Sequence, residues 1–264
     1  MPFLHLDLRI KVRIILLRKA GTMAYKQKKY IFPNCIEIEQ YHSALYRAPG
    51  MQRLKKAKAT PEQMARTNQR NKVTRCRRKL RAHFKKNDYF LTLTYAKSKR
   101  PSNMEEAKED FREFITQIRK EFKKRGVVLK WIRNIEVGTR GAWHIHMVIN
   151  RIEGIDVLTS ETWDKGKVLP ELLYERGFFK DLATYMTKGP KTDPRLKEAS
   201  YSTSRNLPLP EPEVKIYRRW KTWKTDIKIP DGYYLDPDSF HEGENPVTGY
   251  PYRTYTLVRI RKRE

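Results

Sequence analysis

Cysteine is scarce. The 264 residues contain two, Cys35 and Cys76, too few for a disulfide framework and without the spacing of a Cys-based metal site. That usage fits a reducing compartment, and the cytoplasm of a bacterial host cell is the expected location. Long apolar runs are missing as well: no stretch reaches the ~18 residues that a spanning helix needs, so an integral membrane protein is not expected. Residues 1–17 interleave Arg9, Lys11 and Arg13 with apolar residues, which alternates like a strand and breaks the apolar core a signal peptide requires. Met23 is a candidate start, with 1–22 upstream of it. Acidic residues are in short supply: 30 Asp and Glu face 57 Lys and Arg, a formal net charge of +27. Solubility needs far less, and the excess points to a polyanionic partner, nucleic acid or an anionic membrane surface. No G-x-x-x-x-G-K-[ST] phosphate loop is present; Gly166-Lys167 lacks its context.

What is present divides into four segments: an N-terminal extension over 1–50, a basic helical segment over 51–86, a main domain over 87–200 and a basic, aromatic C-terminal extension over 201–264. Cys35 to Tyr41 alternates like one strand between turns. Residues 52–86 carry fourteen Lys or Arg against the single acid Glu62, with a helix start at Thr60-Pro61-Glu62-Gln63. Val73, Leu80 and Phe84 give that helix only a thin apolar stripe, so its basic surface is either solvated or covered by something anionic. Arg75, Arg77, Arg78 and Lys79 are its candidate DNA contacts, joined by Arg140 in a hairpin turn and Arg205 in a later loop.

Tyr89 to Tyr95 alternates large apolar residues with threonines and reads as a strand. Ser102 and Glu105 have capping-box spacing, and Met104, Ala107, Phe111, Phe114, Ile115, Ile118 and Phe122 recur at helical intervals up to Gly126. Residues 132–137 and 143–149 read as a hairpin across Gly138-Thr139-Arg140-Gly141. A short helix over Val157 to Asp164 with a Thr159-Ser160 start, an edge strand over 167–174 that includes Pro170, and a helix over 178–188 follow. The tail from Lys215 to Lys224 alternates basic and aromatic residues, either a base-stacking surface or the core of a small β region around Trp220 and Trp223, and 250–261 reads as a late strand.

His144-Ile145-His146 lies on the second hairpin strand. Alternation sends both imidazoles to one side, where they can hold a divalent cation, and Glu136 across the turn supplies a third ligand while leaving positions open for substrate. Tyr185 offers a phenolate nucleophile, weak at a free pKa of about 10 until a cation helps remove its proton. Lys188, one helical turn later, can steady charge on a phosphate. Separately these elements are ordinary: an H-x-H pair is more often structural than metal-binding, and Glu136 alone can pair with Arg133 or Arg140. Their order in a strongly basic chain is what makes them specific.

Phe90-Leu91-Thr92-Leu93-Thr94-Tyr95, His144-Ile145-His146 and Tyr185-Met186-Thr187-Lys188 resemble the three motifs of the HUH endonuclease superfamily, in particular rolling-circle replication initiator (Rep) proteins, over roughly residues 87–190. The resemblance implies an α+β fold, a central antiparallel sheet with flanking helices related to the RNA-recognition-motif topology, here with a basic helical N-terminal segment and a small C-terminal β extension. It implies Mg²⁺ or Mn²⁺ at His144, His146 and Glu136. It further implies that Tyr185, with Lys188 as the motif lysine, nicks one strand of single-stranded or hairpin origin DNA beside flanking duplex, keeps the 5′ phosphate and frees a 3′ hydroxyl. Relatives with two catalytic tyrosines carry them on one helix; Asp181 and Gly189 occupy the neighbouring turns here, which makes this a single-tyrosine pattern. Without a helicase motif, unwinding falls to a host helicase and synthesis to a host polymerase. A conjugative relaxase or single-tyrosine transposase shares the chemistry, and a nonenzymatic RRM-like nucleic-acid-binding protein is the alternative of another class. Oligomeric state on DNA is left open by the sequence.

Overall fold

The computed structural model describes residues 25–42, 60–138, 141–174, 179–188, 201–217, 222–245 and 250–260. The strand-like alternation before Met23, Arg140, Gly189 and Trp220 lie outside them. Among the described residues no helix is long and apolar enough to cross a membrane. Two compact units are present, one drawn from residues up to Met64 and from Glu211 onward, the other comprising Ala65–Pro210.

The elements follow in the order β1 (Tyr25–Ile31), β2 (Cys35–His42), α1 (Pro61–His83), β3 (Tyr89–Thr94), α2 (Met104–Lys124), β4 (Trp131–Val137) and β5 (Trp143–Ile149). Then come α3 (Ile155–Thr162), β6 (Val168–Leu172), α4 (Lys180–Met186), β7 (Tyr201–Thr203), β8 (Glu213–Tyr217), β9 (Tyr233–Leu235), β10 (His241–Glu244) and β11 (Pro251–Arg259). The fold is α+β, with two antiparallel sheets.

In the first unit the expected C-terminal β region shares its sheet with the N-terminal strands, in the order β10-β11-β2-β1-β8, and β9 pairs with β11. Ile36, Ile38, Tyr255 and Leu257 form its apolar cluster. Trp223 belongs to this interior: it is buried, donates its indole N–H to Glu242 at 3.1 Å, and lies under the Arg253 guanidinium at 5.6 Å. For Trp223, therefore, the core reading of the aromatic tail holds.

The second unit is built on a sheet ordered β6-β3-β5-β4-β7. Its run β3-α2-β4-β5-α3-β6 with the spatial order β6-β3-β5-β4 is the split β-α-β arrangement expected from the RNA-recognition-motif relation. Leu91, Leu93, Ile135, Ile145 and Met147 pack from one sheet face against Ala107, Phe111, Phe114, Ile118 and Phe122 of α2 and Ile155 of α3. Each of the larger side chains contributes about 1.5–3 kcal/mol by leaving water. On the other face Ile132 and Val148 meet Cys76 and Leu80 of α1, Phe84 just beyond it, and Ala183 and Met186 of α4.

Several local details differ from the sequence expectation. The cap of α2 is shifted by one residue: Asn103 accepts the Glu106 N–H at 3.0 Å, and Glu106 reaches back to the Ser102 N–H at 2.7 Å. Asn103 takes the cap because its side-chain carbonyl reaches the N3 amide directly. Helix α3 begins at Ile155, not at Thr159, whose hydroxyl instead bonds back to the Ile155 carbonyl at 2.7 Å from inside the helix. The hairpin turn spans five residues: Gly138 N–H meets the Ala142 carbonyl at 2.8 Å, and Gly141 supplies the left-handed φ of 68°. The thin stripe of α1 suffices because only its second half packs; residues 61–71 are almost wholly exposed, whereas Cys76 and Leu80 are fully buried.

Candidate functional site

Strand register assembles the site. In the β4–β5 ladder Glu136 lies opposite His144 and Asn134 opposite His146; in the β3–β5 ladder Thr92 lies opposite His146 and Thr94 opposite His144. Directly opposed residues share a sheet face, so Thr92, Thr94, Asn134, Glu136, His144 and His146 face the side that carries α1 and α4. Gly166 helps fix this edge. A Cβ there would stand 2.2 Å from the Thr94 carbonyl oxygen, and only glycine lets Lys165 and Lys167 accept the Ala96 and Thr94 N–H groups, each at 2.8 Å.

Helix α4 brings in the tyrosine. It is short, and it is anchored by the burial of Phe179, Ala183 and Met186 and by the Thr187 hydroxyl on the Ala183 carbonyl at 2.7 Å. Gln69 of α1 donates to the Thr187 carbonyl at 3.1 Å and closes the helix end. Tyr185 is thereby delivered, half-buried, to the histidine face. Its hydroxyl lies 2.7 Å from His146 Nε2 and 3.3 Å from Glu136 Oε2, and these two atoms are 3.4 Å apart.

The imidazole of His146 is held on three sides. Thr92 Oγ1 is 3.1 Å from its Nδ1, the Phe90 ring lies parallel at 5.8 Å and 5°, and Tyr185 meets it edge-on at 5.0 Å. Burial pushes His146 down to about 4, with the Glu136 charge opposing, and burial lowers His144 as well. Both rings are therefore neutral near pH 7, the form that offers a lone pair to a cation. Burial first, then the Glu136 carboxylate and its hydrogen bond, raise the Tyr185 phenol well above its ordinary value. As it stands the phenol is protonated and hydrogen-bonded, not a free nucleophile.

Neutral imidazole and carboxylate donors can hold a divalent cation. Two ligands at right angles and ~2.1 Å from one ion stand ~3.0 Å apart, and the 2.7, 3.3 and 3.4 Å sides of the Tyr185–His146–Glu136 triangle bracket that length. His144 is one step removed, its ring centroid 6.1 Å from that of His146. Among the described residues no three His, Cys, Asp or Glu side chains are gathered into a ready-made cage; of the three expected ligands, His146 and Glu136 touch at 3.4 Å.

Other expected contacts are spread more widely. Lys188 lies beyond the end of α4 and is exposed, with its N–H on the Tyr185 carbonyl at 3.1 Å. Arg75 is exposed, Arg77 and Lys79 are half-buried, and Arg78 is buried; Lys79 donates to the Thr203 hydroxyl at 2.8 Å. Arg205 is exposed in the turn after β7. Sequence reasoning named Phe90 and Thr92 within a motif without giving them a role at the histidines, and it missed Asn134 and Gln69; these placements depend on pairing between distant segments. The alternation of β3 was the one available signal, since it puts Phe90 and Thr92 on a common face.

Residues 88–190 match the family model of Replication-associated protein ORF2/G2P. The matched stretch runs from β3 past the end of α4 and contains every residue of the Glu136–His144–His146–Tyr185 cluster. Over that stretch the chain is similar to replication-associated proteins. No curated protein and no solved structure matches the chain.

Proposed function

We propose that this protein is a single-tyrosine HUH-type initiator that nicks and rejoins one DNA strand at a replication origin, starting rolling-circle replication of a plasmid, phage or integrated element. The observation that carries the reading is the three-way contact of the Tyr185 hydroxyl with His146 and Glu136. A nonenzymatic RRM-like binder gives that contact no task.

In the nicking step the Tyr185 phenol loses its proton to solvent and its oxygen bonds to the scissile phosphorus. The P–O3′ bond breaks, and the departing 3′ oxygen takes up a proton. The products are a 5′-phosphotyrosine and a free 3′ hydroxyl for the polymerase. Resealing is the reverse attack by a 3′ hydroxyl on the same phosphotyrosine. Glu136, His144 and His146 would hold Mg²⁺ or Mn²⁺, which supplies positive charge to a non-bridging phosphate oxygen and to the phenolate. Burial keeps both imidazoles neutral for that task, and the α4 anchor fixes where the phenol stands. Lys188, exposed just beyond the helix, would meet a phosphate oxygen as a point charge.

DNA would run along the exposed half of α1. Arg66, Arg70 and Arg75 are exposed, and Gln69 between them touches the end of the tyrosine helix. Arg140 and Arg205 remain candidate contacts, as do the half-buried Arg77 and Lys79, whereas Arg78 is buried in the packed half of the helix. Duplex opening and synthesis fall to the host helicase and polymerase.

The test is covalent trapping. Full-length protein is incubated with single-stranded oligonucleotides carrying the candidate origin hairpins, with Mn²⁺, Mg²⁺ or EDTA. A denaturant-resistant protein–DNA adduct that needs the divalent ion is expected. Tight binding with no adduct on any origin contradicts the enzyme reading.

A further inference from the structure

We infer that Thr92 is a positioning residue of this site: its hydroxyl oxygen accepts the Nδ1–H of His146 and so turns the Nε2 lone pair toward Glu136 and Tyr185. The inference rests on the proposed nicking reading for its purpose, but its geometry stands on separate observations.

Thr92 is the direct cross-strand partner of His146, and its Oγ1 lies 3.1 Å from Nδ1. A neutral imidazole carries one N–H, so a donor at Nδ1 leaves an acceptor at Nε2. Nε2 is the nitrogen that meets the Tyr185 hydroxyl at 2.7 Å and stands 3.4 Å from a Glu136 oxygen. A hydroxyl that donates to Nε2 is compatible with this tautomer. The competing Nε2–H tautomer would donate to the phenol oxygen while the phenol hydrogen goes to Glu136 Oε2 at 3.3 Å, and it would leave no lone pair on Nε2 for a cation. Phe90 lies parallel to the ring at 5.8 Å, which restrains its plane while Thr92 restrains its rotation. Metal-binding histidines commonly donate their second N–H to a neighbouring oxygen, which fixes tautomer and orientation together. Here that oxygen comes from a neighbouring strand, so the aim of the imidazole is coupled to the β3–β5 register.

Thr92→Val keeps the β-branched shape and removes the oxygen, whereas Thr92→Ser keeps the oxygen. Full-length protein with ¹⁵N-labelled histidine, metal-free at pH 7, gives the His146 tautomer from two-bond proton–nitrogen correlations, with His146→Gln assigning the signal. The wild type and Thr92→Ser are expected to hold the proton on Nδ1, and Thr92→Val to lose that single tautomer. Mn²⁺ titration of the same samples should show affinity about 10–100-fold weaker in Thr92→Val, restored in Thr92→Ser. An Nε2–H tautomer in the wild type, or a tautomer and Mn²⁺ affinity unmoved by Thr92→Val, overturns the inference. If the tautomer moves as expected but the wild type binds no Mn²⁺, the orientation by Thr92 stands and the metal-dependent nicking reading falls.

Discussion

Two side chains decide the site's chemistry, Tyr185 and His146. Tyr185 contributes a hydroxyl that touches both His146 and Glu136, and nothing else in α4 reaches them. Tyr185→Phe retains the ring contacts with Phe90 and His146 at 6.2 and 5.0 Å and removes only the oxygen. Adduct formation should vanish, with DNA affinity within about twofold; a gel assay of adduct beside an anisotropy titration checks both. Loss of binding along with adduct would make the tyrosine a DNA contact. His146 carries a pH signature. Its folded-state value near 4 lies below the ordinary histidine value of 6.5, so in the metal-free protein the unfolded chain binds the extra proton first as pH falls. Stability is full above about pH 6.5 and drains away toward pH 4, by up to about 1.4 kcal/mol per pH unit from this group. Urea unfolding in EDTA at pH 7 and pH 5 should show that loss in the wild type and a smaller one in His146→Gln. Equal losses in both would assign the slope to other groups.

Among the elements, the β4–β5 hairpin and the α2 stripe were readable because their signals are local. A seven-residue strand on each side of a glycine turn sets Glu136 against His144 with almost no freedom, and the apolar residues of α2 recur at three and four. Non-local pairing was not readable. Nothing near His146 in the chain announces Thr92, 54 residues away, nor that β1 and β2 share a sheet with β8 and β11. The burial of Arg78 was hidden too, because a run of cations reads as a solvated face until tertiary packing selects one side. Gly166 shows a similar gap: its sequence neighbourhood suggested only a failed phosphate loop, while its role is to let the chain approach Thr94. Gly166→Ala should cost about 1–3 kcal/mol through overpacking against backbone and should lower nicking through displaced Thr94. Thermal melting with an adduct assay measures both, and an unchanged melting temperature would mean that this turn relaxes freely. The α2 cap is a milder case: Asn103→Ala should cost about 1 kcal/mol and leave the rate of adduct formation unaltered, as checked by denaturant titration.

For the whole molecule, charge is the dominant property. A net +27 over 264 residues repels itself unless a polyanion is near. Helix α1 concentrates it, with eight Lys or Arg against Glu62 alone, and its outer half has few packing duties. DNA affinity should therefore fall steeply with salt, and Arg66→Ala and Arg70→Ala should each reduce the log–log slope by about one without altering the site. Anisotropy titrations over a salt series test this, and slopes unchanged in both variants would move the DNA path elsewhere.

The most direct test of the central claim is to find the covalent bond. Full-length protein is trapped on origin DNA with Mn²⁺, digested with nuclease and protease, and the nucleotide-bearing peptide is sequenced by mass spectrometry. A 5′-phosphotyrosine at Tyr185, absent from Tyr185→Phe and from samples with EDTA, is the predicted result; a nucleotide on any other residue, or an adduct that survives Tyr185→Phe, would contradict it.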